Sequence, residues 1–109
     1  MKGMSLVEAS YALTERFPSR EIYGLANQIR RAAVSIPSNI AEGHSRRSRL
    51  VYLNHLSVAL GSQSELETQI ELSWRLRFIN DGQYRETISL VAEVGRLLHG
   101  LINALERNP

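Results

Sequence analysis

Cysteine does not occur among the 109 residues, which excludes disulfides and thiolate-bound metal and fits a reducing compartment such as the cytoplasm. Lysine is almost missing: Lys2 stands alone against twelve arginines, in a chain of formal net charge +2. A guanidinium is a rigid fork that matches carboxylate and phosphate, whereas an ammonium mainly solubilises. The bias therefore permits nucleic-acid binding, and a genome that favours arginine codons would produce it equally well. Uninterrupted apolar runs are also lacking. None approaches the ~20 residues of a membrane span, and the opening "MKGMSLVEAS" has no apolar signal core, so no membrane partner is expected.

Catalytic and metal-binding patterns are missing as well. A carboxylate-bridged metal pair in a helical bundle needs histidine three residues after glutamate. Here Glu42 is followed at that spacing by Ser45, Glu65 by Thr68 and Glu93 by Arg96. His44, His55 and His99 have no acid at ligand-like helical spacing, and neither a His-Glu-x-x-His pattern nor a phosphate-cradling glycine loop is present. The expectation is a non-enzymatic protein without metal or cofactor, its histidines ordinary surface or half-buried side chains.

What is present is helix. Apolar residues, 43% of the chain, recur at helical spacing almost throughout, and no strand-like alternation interrupts them. The pattern predicts an all-α, up-and-down antiparallel four-helix bundle in one domain over 1–109, with helices at about 5–17, 19–43, 46–78 and 81–106. Leu6, Ala9, Leu13 and Phe17 mark the first helix. Ser19 reads as the N-cap of the second, with Glu21 in its first turn and Gly43 as its C′ glycine. Its seam is Ile22, Leu25, Ile29, Ala32 or Ala33, Ile36 and Ile40. The third helix starts near Ser45 to Ser48 and carries Leu56, Leu60, Gln63, Leu66, Ile70, Trp74 and Phe78 on its stripe. Asp81 reads as the N-cap of the fourth, whose stripe includes Tyr84, Ile88, Val91, Leu98 and Leu105. At 1.5 Å per residue the third helix would reach roughly 50 Å and the first roughly 20 Å. That mismatch leaves apolar surface near one end for another subunit, so a homo-oligomer is expected.

The segment "SIPSNIAEGHSRRSR", Ser35–Arg49, concentrates the unusual residues. Pro37 lacks the N–H that would bond to the Ala33 carbonyl, which predicts a kink; Ser35, Ser38 and Asn39 are placed to satisfy the freed carbonyl. Glu42 at one helix C-terminus, and Arg46, Arg47 and Arg49 in the first turn of the next, each sit at the wrong end of a dipole, at about 0.3–1 kcal/mol apiece. A Glu42–Arg46 clamp across the turn would relieve both, leaving Arg47 and Arg49 for a partner. Between Arg20 and Leu60 six arginines face two acids, whereas Gly61–Trp74 carries three acids and no base. Arg30, Arg31, Arg47 and Arg49 are thus candidate nucleic-acid contacts, acting by salt-dependent neutralisation of phosphate. Only Tyr52 is an aromatic close to this bend, so base stacking is not indicated there. The opposed charges could equally dock between subunits. Glu67, Glu71 and Arg75 line up one turn apart as an ion-paired face, while Glu65, nearer the seam, could be a buried acid that accepts an arginine from the second helix.

"FPSREIYGLANQIRRAAVSIPSNIAEGHSRRSR" and "YLNHLSVALGSQSELETQIELS" resemble the 23S rRNA-intervening-sequence proteins, over about Leu6–Leu105. The "SIPSNIAEG" elbow and the "ALGSQSELETQ" run are the most specific parts. The resemblance implies a small up-and-down four-helix bundle that assembles as a homopentamer. Some members are encoded inside insertions in bacterial large-subunit ribosomal RNA genes. A similar fold serves as the accessory variability determinant of diversity-generating retroelements, a basic pentamer that binds nucleic acid and associates with a reverse transcriptase. The family pattern falls on Gln28, Arg31, Ser35, Pro37, Asn39, Ala41, Glu42, Gly43, Arg46, Gly61, Ser62, Glu65 and Glu67, none of them catalytic. The sequence departs from the family in its first helix, which is usually longer and often has an aromatic residue near its start. The expectation is a cytoplasmic homo-oligomer that binds RNA or other nucleic acid through the bend. Its rival is a structural or protein-interaction oligomer with no nucleic-acid role.

Overall fold

The structure is a computed structural model and describes residues 2–21 and 23–107; Ile22, expected in the second seam, lies outside the described residues. Four helices follow one another, α1 Lys2–Thr14, α2 Leu25–Ser45, α3 Arg49–Arg75 and α4 Asp81–Arg107, with a 3-10 turn at Ser19–Glu21 before α2. No strand occurs among the described residues. Each helix packs on two neighbours: α1 touches α2 and α4, and α3 touches α2 and α4. This is the antiparallel four-helix bundle that the apolar spacing implies. Leu6 and Leu13 of α1, Ile29 and Ile36 of α2, Leu56, Leu66 and Ile70 of α3, and Val91 and Leu98 of α4 share one buried cluster. Residues three and four apart return to the same helix face, so each stripe meets the others on the bundle axis.

The helix ends differ from the expected ones, each for a local reason. α1 closes at Thr14, whose hydroxyl donates back to the Ser10 carbonyl at 2.8 Å. Phe17 lies past that end, yet it is buried because its ring packs against Phe78 with centroids 5.3 Å apart. α2 does not begin at Ser19, since residues 19–21 form the 3-10 turn. Its cap comes from Glu21, whose Oε1 accepts the Leu25 N–H at 3.3 Å, an acid at the positive end of the helix dipole. α4 is capped by Asn80 rather than Asp81. The Asn80 side chain accepts the Gln83 N–H and the Gln83 side chain accepts the Asn80 N–H, both at 2.8 Å, a reciprocal capping box.

Gly43 does not end α2. The helix runs on to Ser45, and Arg47 takes the left-handed conformation after it, with φ of 58°. Gly43 is buried where α3 crosses. A Cβ on it would lie 2.6 Å from the Cβ of His55 and 3.0 Å from Cδ1 of Tyr52, so only glycine permits this approach. α3 starts at Arg49 with Ser48 as N-cap, its hydroxyl accepting the Val51 N–H at 3.3 Å. It stops at Arg75, because Arg77 (φ 63°) and Phe78 fold back on the Trp74 and Ser73 carbonyls at 3.0 and 2.9 Å. With 27 residues, α3 is about 40 Å long, shorter than expected.

α1 stays short beside its neighbours. Lys2 pairs with Glu93 at 3.3 Å, so α4 from Leu97 onward extends past the start of α1, and Leu97 is 55% exposed. α4 is long and apolar enough, by length and composition only, to cross a membrane, although its apolar residues are not uninterrupted. In the bundle, Val91, Val94 and Leu98 of this helix are core residues.

Substituting Gly43→Ala forces α2 and α3 apart and is expected to cost about 1–3 kcal/mol, read as a lower melting temperature. Gly100→Ala, where a Cβ meets nothing within 4 Å, is expected to raise stability by about 0.5–1 kcal/mol through helix propensity. Equal shifts for the two variants would contradict the close approach at Gly43.

Candidate functional site

The arginines of the bend do not form a single free patch. Arg30 turns to α1: its Nε donates to the Thr14 hydroxyl at 2.8 Å and its guanidinium lies 4.9 Å from the Tyr11 ring centre. Arg46 donates to Glu42 Oε1, from Nε at 3.1 Å and also from a terminal nitrogen. This pair does not cross the turn as expected. α2 continues through Ser45, so both side chains belong to its last turns, four residues apart, and Arg46 stands where the helix dipole favours a cation. Both groups are about half exposed, and such a pair contributes about 0.3–0.5 kcal/mol. Arg49 donates to the Leu105 carbonyl at 3.2 Å, which ties the start of α3 to the last turn of α4. Arg31 and Arg47 are exposed and have no partner among the described residues. Sixteen residues separate them, or roughly 24 Å along α2.

A polar seam runs between α2 and α3 from the same elbow. Asn39 donates from Nδ2 to the Ser35 carbonyl at 2.8 Å and the Ser35 hydroxyl at 3.0 Å. Its Oδ1 can then only accept, so His55, 3.0 Å away, presents a protonated Nδ1. Ser62 donates to the Ser35 hydroxyl at 2.8 Å. Gly43, Asn39, Ser35 and Arg31 recur at four-residue spacing on α2, opposite His55, Ser62 and Glu65 on α3. Gln28, Arg31, Ser35, Ser62 and Glu65 line a shallow groove at its upper end. Pro37 lies inside α2, beside Gly3 of α1, and the Asn39 amide serves the Ser35 carbonyl rather than that of Ala33.

Of two further expectations about α3, the buried acid fails and the ion-paired face holds for Glu71 and Arg75. Glu65 is exposed and accepts from Gln69 at 3.4 Å, so it is not a buried acid, and no arginine of α2 pairs with it among the described residues. Glu71 pairs with Arg75 at 2.9 Å, while Glu67 is exposed. His55 is half-buried, as expected, and the seam gives it a defined partner. Only the folded pairing of α2 with α3 reveals it, since Asn39 and His55 are 16 residues apart.

The outward face of α3 holds a feature that sequence reasoning missed. Leu50, Val58, Leu72 and Leu76 are 67%, 53%, 42% and 51% exposed. At 100° per residue they fall within a sector of roughly 80°, and Gly61 lies in the same sector. Nothing within 4 Å would meet a Cβ on Gly61. The stripe is diluted by Asn54, Glu65 and Thr68, so it becomes visible only once the buried face is known. Among the described residues no three histidine, aspartate or glutamate side chains come together as metal ligands would.

Comparison with known proteins agrees with this architecture. The family model described as "23S rRNA-intervening sequence protein" matches residues 1–100. A crystal structure from Bacteroides thetaiotaomicron, of a protein of unknown function from the S23 ribosomal protein family, superposes with a TM-score of 0.86 at 27% identity. The match covers 93% of this chain and 94% of that one. No curated protein matches the chain. With the elbow, the α2–α3 seam and the bundle in place, the chain belongs to the 23S rRNA-intervening sequence protein family.

Proposed function

We propose that this chain is a non-enzymatic, self-assembling bundle that works in the cytoplasm and binds RNA or other nucleic acid through Arg31 and Arg47. The observation that carries the binding reading is Arg47. An L-residue in the left-handed region costs on the order of 1 kcal/mol, which glycine would avoid, yet an exposed arginine without a partner occupies it. The charge is held out from the bend rather than absorbed by the fold. Assembly is supported by the α3 stripe. A glycine inside a helix costs about 1 kcal/mol relative to alanine, and Gly61 gains no close contact within its own chain. A second copy laid on Leu50, Val58, Gly61 and Leu72 supplies that contact. Five copies, as the family resemblance implies, would repeat the two arginines around a ring and multiply a modest charge per subunit.

A second reading, an assembly with no nucleic-acid role, is favoured by Arg30, Arg46 and Arg49, which are all consumed in contacts within the chain. Two measurements separate the readings. In light scattering, the protein at micromolar concentration is expected to be larger than a monomer, and Gly61→Arg is expected to give a folded, helical monomer. A native chain that is already monomeric overturns assembly through α3. In filter-binding titrations against salt, retention of single-stranded RNA is expected to fall with a log–log slope of about −0.7 per phosphate neutralised. The pair Arg31→Ala with Arg47→Gly is expected to weaken it at least tenfold, while Arg47→Gly alone leaves the melting temperature unchanged or raises it. Undiminished retention in that double variant sinks the arginine assignment.

A further inference from the structure

The bundle end opposite the elbow holds a cleft that the reading above does not use. It has a volume of about 780 Å³ and is walled by Trp74, Arg75, Arg77, Phe78, Asn80 and Asp81 at the α3–α4 connection. The contact of Phe17 with Phe78 places it at the same end as the α1–α2 connection, away from Ser45 and Arg49.

Its indole wall is fixed in place before any ligand arrives. Trp74 stacks on Tyr84 with ring centroids 4.4 Å apart and planes 11° from parallel. Its Nε1 donates to Asp81 Oδ1 at 2.8 Å. Tyr84 covers one side of the ring and is not part of the cleft wall, so what Trp74 presents to the cleft is surface that Tyr84 leaves open. The two arginines of the wall differ. Arg75 is held by Glu71 at 2.9 Å, whereas Arg77 has no partner among the described residues. Arg77 also occupies the left-handed position that closes α3, where glycine is usual. A locked aromatic ring beside one unengaged guanidinium is the chemistry that recognises a planar base carrying a phosphate.

We propose that the α3–α4 cleft binds an unpaired nucleotide of single-stranded RNA, with the base against Trp74 and its phosphate on Arg77. The ligand class rests on the nucleic-acid reading above; the site does not, since it shares no residue with the elbow. Asp81 keeps its charge while accepting from the indole N–H, and Arg75 and Arg77 on the same wall outnumber it.

The single tryptophan of the chain makes the test direct. The full-length protein is titrated with 5′-phosphorylated triadenylate, with Trp74 emission excited at a wavelength adenine does not absorb. Saturable quenching is expected, and Arg77→Gly, which suits the left-handed backbone, is expected to weaken it about tenfold, at the scale of one lost phosphate or stacking contact. Arg31→Ala with Arg47→Gly is expected to leave it unchanged. Emission that does not change up to millimolar triadenylate, or that is quenched equally in Arg77→Gly, overturns the cleft. Retention of long RNA that depends on Arg31 and Arg47 without quenching by triadenylate refutes the cleft and leaves the elbow. The reverse result removes the elbow and leaves the cleft.

Discussion

The approach of α2 to α3 at Gly43 is the constraint on which the elbow depends. A hydrogen in place of a methyl lets the two backbones close until the His55 and Tyr52 side chains rest on the glycine. That proximity brings Asn39 within 3.0 Å of His55 and Ser62 within 2.8 Å of Ser35. Half-buried polar groups between packed helices are costly unless they are paired, and here they pair with one another. The seam therefore fixes the register of α2 on α3, where an apolar interface of similar area would tolerate sliding. Gly95 repeats the device across the bundle, where Gln63 lies against it and donates to the Val91 carbonyl at 3.0 Å.

The helix ends carry the chemistry left over from this packing. α2 and α3 both close on an arginine in the left-handed conformation, Arg47 at one end of the bundle and Arg77 at the other. Each is exposed and each lacks a partner among the described residues. The neighbouring charges are engaged: Arg46 with Glu42, Arg75 with Glu71, Arg49 with the end of α4. Backbone strain borne by exposed, unpaired side chains fits a role outside the chain, and the two ends offer different surroundings. The elbow is polar with Tyr52 nearby, whereas the α3–α4 connection has Trp74 stacked on Tyr84.

Between the two ends, α3 presents a long face of mixed character. Leu50, Val58, Leu72 and Leu76 are exposed, and Glu65 stands among them. A face of that composition is too apolar to be indifferent to a partner and too polar to form a core. It runs along a helix about 40 Å long.

The sequence by itself determined the class of fold. Apolar residues three and four apart require an amphipathic helix, and short polar breaks at Pro18-Ser19, His44–Ser48 and Asn80–Gly82 require the chain to turn back, so a four-helix bundle follows from local rules. Gln63, Leu66 and Ile70 were legible as core residues on the same basis. The candidate site was legible only as a set of residue types. The unfavourable dipole positions read for Glu42 and Arg46 pointed to their pairing, but whether it lay within a helix or across a turn depended on where α2 stopped, and a glycine at position 43 suggested the wrong place. Tertiary structure decided that point, because Gly43 answers to a steric limit set by α3 and not to the φ angle of a helix end. It also decided which arginines are free, since Thr14, Tyr11 and the Leu105 carbonyl come from distant parts of the chain. Partners that lie 16 or 56 residues away leave no periodic trace, and their contacts exist only once the helices have packed.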